Sequence, residues 1–279
     1  LYFLKYFLFF LFFIFLFKII FIIIIIIYFE LFYNMEIAIK RILKDIKTLQ
    51  ENNLENLNIF FNTNEDNIFN MQVMIVGPEN TPYNFGFYLF DITFPQNYPF
   101  SPPHFQFCTQ GLNIRLNPNL YVSGKVCLSL LNTWNGPQWT SCNTILSILL
   151  SIQSMILIDN PLNNEPGYGD DNSITSKNYQ QIIEYANYKV SIINMINNTP
   201  PKFLIFQQIM IDKFKENYSN ITNHIQTLSN KYPKNQKNIK CSVYCMNVSC
   251  NFNKLLKEIN SLYTQLNSNN THTPNNTSQ

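Results

Sequence analysis

Gly86-Phe87-Tyr88-Leu89-Phe90-Asp91-Ile92-Thr93-Phe94-Pro95, followed after Gln96 by Asn97-Tyr98-Pro99-Phe100-Ser101-Pro102-Pro103, is the stretch on which the fold turns. Its first part is aromatic and β-branched and is bounded by Gly and Pro, which predicts a strand over 86–94. The prolines at 95, 99, 102 and 103 then forbid regular structure and hold the chain on an extended path. Outward from here, the runs 57–62 and 68–76 have the same strand character, and a fourth short strand is expected around 103–108. The first two are joined by Asn62-Thr63-Asn64-Glu65-Asp66-Asn67, a turn composition. Sequential strands with short polar connections favour an antiparallel meander.

Helical periodicity brackets the strands. Ile39, Ile42, Leu43, Ile46 and Leu49 recur at helical spacing, with Lys40, Arg41, Lys44, Asp45 and Lys47 between them, which predicts an amphipathic helix over 36–51. A second helix is expected over 141–158, with Ile145, Ile148, Leu149, Ile152, Met155 and Ile156 as its buried stripe. Residues 160–171 read as a loop, and further helices are expected at 175–197, 202–229 and 251–266. The Asn/Thr-rich tail should be disordered.

Between strands and second helix lie Asn117-Pro118-Asn119 and Gly124-Lys125-Val126-Cys127-Leu128, with Trp134 and Trp139 close behind. A cysteine just past a tight Asn/Pro/Gly-rich loop can serve as a nucleophile, since a thiolate attacks thioesters well near neutral pH. Taken alone, Cys127 could equally be a small buried hydrophobe.

Its surroundings decide. Gly77-Pro78-Glu79-Asn80-Thr81-Pro82-Tyr83, the strand, Phe94-Pro95 to Pro103, the Asn-Pro-Asn loop and Gly124 to Leu128 resemble, in order, the motifs of the ubiquitin-conjugating enzymes. The spacing from Asn119 to Cys127 is that family's spacing. Asn132 to Trp139, and Asn160-Pro161-Leu162-Asn163-Asn164-Glu165-Pro166-Gly167-Tyr168, are similar to the Z-type members and to the conjugating domain of the giant inhibitor-of-apoptosis proteins. The resemblance spans roughly residues 35–265 and is thin beyond Pro201.

The resemblance implies an α+β fold: a four-stranded antiparallel sheet flanked by helices, with a C-terminal helical extension. It divides the chain into a hydrophobic segment at 1–34, a catalytic core at 35–180, an extension at 181–266 and a tail at 267–279. It also implies an acyltransferase. Cys127 would take ubiquitin or a ubiquitin-like modifier from an activating enzyme as a thioester and pass it to substrate lysines, with or without a ligase. Asn119 would either hold the tetrahedral oxyanion or brace the loop. Glu165 would orient and desolvate the incoming lysine, whose amine has an unperturbed pKa of about 10.4; alternatively it is a loop charge before Pro166. Tyr83, Tyr98, Pro99, Pro102 and Pro103 would be structural, and Phe100, Pro102 and Pro103, with Pro137 to Thr140, would lie on the two ligase-facing loops. Two departures stand out: Asn117 replaces the usual histidine, and Ser129 replaces the usual aspartate after Cys-Leu. The competing reading is an inactive variant that only binds ubiquitin or a partner.

The net charge of +2 offers no basic field for nucleic acid. Cys241, Cys245 and Cys250 lack C-x-x-C spacing and a nearby histidine, so no metal site is expected, and no cofactor is implied. A catalytic thiol that must stay free fits a reducing, cytoplasmic compartment. Residues 1–33 are almost wholly Phe, Leu, Ile and Tyr, interrupted by Lys5, Lys18 and Glu30. Their two apolar runs, joined across Lys18, are long enough to span a bilayer, at a cost of about 3 kcal/mol for the lysine. They are either a membrane anchor or translated upstream sequence preceding Met35.

Overall fold

The computed structural model describes residues 2–64, 66–169, 172–232 and 238–268. Its centre is a meander in the order β1-β2-β3-β4, every pair antiparallel: β1 (Ile59–Thr63), β2 (Asn70–Val76), β3 (Phe87–Thr93) and β4 (His104–Phe107). The register sets Val73 opposite Phe90, and Phe90 opposite Phe107. All four strands lie within two residues of the sequence-based expectation.

Strand alternation divides the sheet's side chains between two cores. Ile59, Met71, Val73, Ile75, Tyr88, Phe90 and Phe107 pack into one, with Ala38, Ile42 and Leu49 of the N-terminal helix and the helix after the cysteine. Phe60, Met74, Val76, Phe87 and Leu89 pack into the other. There they meet Phe203, Phe206, Met210, Phe214, Ile221, Ile225 and Leu255 from the C-terminal extension. The extension therefore covers the whole apolar part of the sheet's second face. Six of the seven β2 residues are buried as a result.

The helix expected at 36–51 is the end of a much longer one, α1 (Tyr2–Glu51). No glycine or proline interrupts the chain between the apolar run and residue 51, and the helix ends only at Asn52-Asn53, where Asn53 is left-handed (φ 44°). Its buried face is Ala38, Ile42, Asp45 and Leu49; Leu43, expected in the apolar stripe, is exposed. Asp45 is buried because it accepts hydrogen bonds from Arg41 (3.1 Å) and from the Tyr98 hydroxyl. Arg41 also donates to the carbonyls of Ser141 (2.6 Å) and Asn143, tying α1 to the loop before the next helix.

That next helix, α2 (Ile145–Ser151), opens on a capping box between Thr144 and Ser147 and ends in a π-helical turn (Ile152–Ile156). Ile145, Ile148, Leu149, Ile152 and Ile156 are buried as expected. Met155 is not: it is 57% exposed. The wider π turn shifts the phase of the stripe, rotating residue 155 outward.

Beyond a 3-10 turn at Pro161–Asn164, α3 (Ile174–Ala186) continues through a π-helical stretch (Asn187–Asn194) into α4 (Met195–Asn197). This long helix crosses the sheet closely at Gly86, where a Cβ would meet Asn187 Oδ1 at 1.9 Å. Asn187 accepts from the Tyr88 hydroxyl (2.7 Å) and donates to Asn84 O (2.8 Å). The helix expected at 202–229 is instead a 3-10 turn (Pro201–Phe206), α5 (Gln207–Glu216) and α6 (Tyr218–Lys231), parted at Asn217. A hairpin absent from the sequence reading follows, β5 (Ile239–Cys241) and β6 (Met246–Val248), and then α7 (Phe252–Ser268). The tail expected to be disordered lies, from residue 269, outside the described residues.

Candidate active site

Cys127 sits at the end of a tight loop made by short backbone bonds. Leu120 bridges to Val126, and Gly124 N–H donates to Tyr121 O at 2.9 Å. Gly124 has φ +90°, a conformation that favours glycine, and a Cβ there would fall 1.9 Å from Gln106 Nε2 and have to push that side chain aside. The Cys127 N–H donates to Asn119 O (2.8 Å), and Asn119 Nδ2 donates back to Cys127 O (2.7 Å). Asn119 thus clasps the cysteine's peptide from both sides. Its Oδ1 is buried without a hydrogen-bond partner. Cys127 itself is 1% exposed.

Asn117 is the node beneath this clasp. Fully buried, it donates through Nδ2 to the Tyr83 hydroxyl (2.8 Å) and to Ile156 O (2.7 Å). Its Oδ1 accepts from Asn119 N–H (2.8 Å). One side chain therefore joins the Asn-Pro-Asn loop, the last turn of the α2 helix and Tyr83, whose hydroxyl donates to Leu116 O (2.9 Å). Burial pushes the Tyr83 phenol far above its ordinary pKa, so it stays a neutral donor. On the other flank, the Thr133 hydroxyl accepts from Leu128 N–H (2.9 Å) and donates to Val126 O (2.8 Å). Trp139 is nearly buried and donates to Pro99 O (2.7 Å), fastening the proline-rich loop to this segment. Phe100, by contrast, is 62% exposed.

Beside the cysteine loop runs a groove of about 400 Å³ lined by Asn119, Leu128, Ser129, Trp134, Asn163, Asn164 and neighbours. Of the sequence-predicted site residues, Asn119 lines it directly; Cys127, almost wholly buried, is not among its lining residues. Nor is Glu165: its carboxylate accepts from the Tyr244 hydroxyl at 2.5 Å, away from the groove, while its neighbours Asn164 and Pro166 form part of the wall. Asn164 Nδ2 donates to Met155 O (3.1 Å), holding this loop on the end of the α2 helix. Cys241, Cys245 and Cys250 do not converge; among the described residues no trio of metal-ligating side chains gathers.

Sequence reasoning missed three contributors. Thr133 lies inside the resemblance, and a hydroxyl five residues after Leu128 could have been read as a turn brace. Arg115 and Tyr244 gave no signal, because their partners are distant in sequence.

A family model described as "Ubiquitin-conjugating enzyme" matches residues 41–190. That is more than half of the chain, and the chain belongs to the ubiquitin-conjugating enzyme family. Among curated relatives it is similar to human ubiquitin-conjugating enzyme E2 Z, 40% identical over 150 residues that cover 53% of this chain and 42% of the relative. It is similar also to the human dual E2 ubiquitin-conjugating enzyme/E3 ubiquitin-protein ligase BIRC6, 41% identical over 155 residues, 52% of this chain and 3% of that one. The chain thus spans less than half the length of these relatives. Among solved structures, a Toxoplasma gondii ubiquitin conjugating enzyme E2 domain is 28% identical with a TM-score of 0.43, covering 55% of this chain and 97% of that one.

Proposed function

We propose that this chain is an active conjugating enzyme that carries ubiquitin, or a ubiquitin-like modifier, as a thioester on Cys127. The observation that supports this most directly is the Asn119–Cys127 clasp, which lies beside the groove that Asn119 lines and is built from the residues that match the family's motif. In loading, the Cys127 thiolate attacks the thioester carbonyl on an activating enzyme. The new S–C bond forms, and the activating enzyme's cysteine leaves as thiolate. In discharge, a deprotonated lysine amine attacks the same carbonyl and Cys127 leaves. Each step passes through an oxyanion, and one well-placed donor there is worth about 3 kcal/mol. At rest the Asn119 amide is engaged with Cys127 O, which fits bracing of the loop. To serve an oxyanion it would have to release that bond. ATP is consumed by the activating enzyme, and substrate lysines, reached with or without a ligase, complete the set of partners.

The test is a charging assay on the full chain in mild detergent with activating enzymes, ATP and ubiquitin. A ubiquitin-sized shift that disappears with thiol reductant and with Cys127→Ala is the expected result. No shift with any activating enzyme, from folded protein, would favour the inactive binding variant.

For residues 1–33 we infer a membrane tether on an otherwise cytoplasmic enzyme. One helix, Lys5–Glu51, is long and apolar enough to cross a membrane by length and composition, and the apolar window within it is wholly unburied. A face of Phe and Ile left in water is unfavourable at about 25 cal/mol per Å², so lipid is its natural environment. Resistance of the native protein to alkaline extraction from membranes would support this. Transcript mapping that excludes these codons would end it.

A further inference from the structure

We propose that the C-terminal hairpin clamps the two loops flanking Cys127 through Tyr244, making it a positioning residue for transfer to lysine. This rests on the conjugating activity proposed above. Tyr244 lies in the short turn between β5 and β6, and two separate contacts run from it to the active-site side of the molecule. Its hydroxyl donates to Glu165, fixing the loop whose adjoining residues Asn164 and Pro166 wall the groove. Its ring lies against the Arg115 guanidinium at 4.1 Å, and Arg115 also lies over the Tyr121 ring at 3.5 Å. Arg115 in turn donates to Pro118 O, within the Asn-Pro-Asn loop that clasps the cysteine. One residue of the extension therefore touches both loops that carry the groove's lining residues Asn119 and Asn164, through Arg115 on one and Glu165 on the other.

The backbone fits a functional demand. Tyr244 and Cys245 have φ of 60° and 52°, a left-handed conformation that non-glycine residues adopt at a cost. The hairpin that imposes it is well seated: Val243 and Met246 are buried, and Asn178 Nδ2 donates to Lys240 O at 2.9 Å. The Tyr179 hydroxyl donates to Arg115 O at 2.8 Å, so the long helix holds the cation's own backbone. Burial and the neighbouring Glu165 carboxylate hold the Tyr244 phenol protonated, as a donor must be.

With its carboxylate engaged by Tyr244, Glu165 acts as the loop's anchor and does not contact the lysine. Loading, in which the activating enzyme presents the thioester, should depend little on this clamp. Discharge to free lysine should depend on it strongly, because an unguided small amine relies on the groove's geometry, and small misplacements cost large factors in rate.

The experiment is single-turnover discharge of the purified, charged full chain in detergent at varied free-lysine concentration, with thermal melts alongside. Tyr244→Phe and Glu165→Ala are each expected to lower the discharge rate at saturating lysine about five- to tenfold, with a much smaller change in loading. The double variant should be no worse than either single, because both remove one bond. Glu165→Gln keeps an acceptor oxygen for the Tyr244 hydroxyl and should retain most of the rate. If Tyr244→Phe discharges like wild type, or if Glu165→Gln fails while Tyr244→Phe does not, the carboxylate serves the lysine directly and the clamp is wrong. A wild-type chain that never loads would overturn the conjugating reading, and this inference with it.

Discussion

Replacing Asn117 by alanine tests how the active-site loop is held. The side chain makes three close hydrogen bonds inside a fully buried site: to Tyr83 Oη at 2.8 Å, to Ile156 O at 2.7 Å and from Asn119 N–H at 2.8 Å. Alanine would leave the Asn119 N–H without its partner and the Ile156 carbonyl with only a long bond from Asn164 Nδ2 (3.4 Å). Each buried group so deprived costs roughly 1–3 kcal/mol, so roughly 2–6 kcal/mol is expected in all. Tyr83 would lose less, because its hydroxyl still donates to Leu116 O. For a chain of this size each kcal/mol lowers the melting temperature by roughly 2–4 °C, so a fall of roughly 5–20 °C is expected. The assay is thermal unfolding of the full chain in detergent followed by circular dichroism, with loading measured well below the variant's melting point. Loading should fall too, because the Asn119 backbone is no longer pinned. A variant that melts within about 2 °C of wild type and yet fails to load would refute this reasoning. Asn117 would then be acting on the reacting groups themselves.

Three further outcomes follow from the same structure. Asn119→Ala removes the donor to Cys127 O; a brace predicts a lower melting temperature with loading and discharge reduced together, whereas an oxyanion donor predicts an unchanged melt and a rate loss of about 100-fold or more. Gly124→Ala must place a Cβ against Gln106 at φ +90°, and should cost roughly 1–3 kcal/mol in urea unfolding; full stability would mean that the loop relaxes freely. Phe214→Ala, in the core shared by extension and sheet, should lower stability by roughly 3–5 kcal/mol in one cooperative transition. Two separable transitions, only one of them shifted, would show that the extension melts independently of the sheet.

How far the sequence could be read depended on whether the deciding partners were local. The meander was legible because its punctuation is local: Asn-rich residues 62–67 mark one turn, and Gly86 and Pro95 bracket β3. The order of motifs likewise set Asn119 beside Cys127. The length of α1 was not legible as one element, since the residue pattern changes near residue 34 while the backbone has no reason to break. Met155 was misplaced because periodicity assumes α-helical pitch and the helix finishes in a π turn. Asp45 looked like a surface charge on an amphipathic helix. Only the fold supplies Tyr98, which lies 53 residues away, to make its burial tolerable.

The hairpin carries the same lesson into function. Its strands are three residues each, and its turn puts Tyr244 and Cys245 in the left-handed region without the Gly or Asn that would advertise it. Glu165 could be found from the loop motif, but what its carboxylate touches is set 79 residues further on, by a tyrosine in the thinnest part of the resemblance. A family motif therefore identified the loop, and the extension decides how that loop is held. If transfer to lysine in this chain differs from transfer in members without such an extension, Tyr244 and Arg115 are where the difference is built.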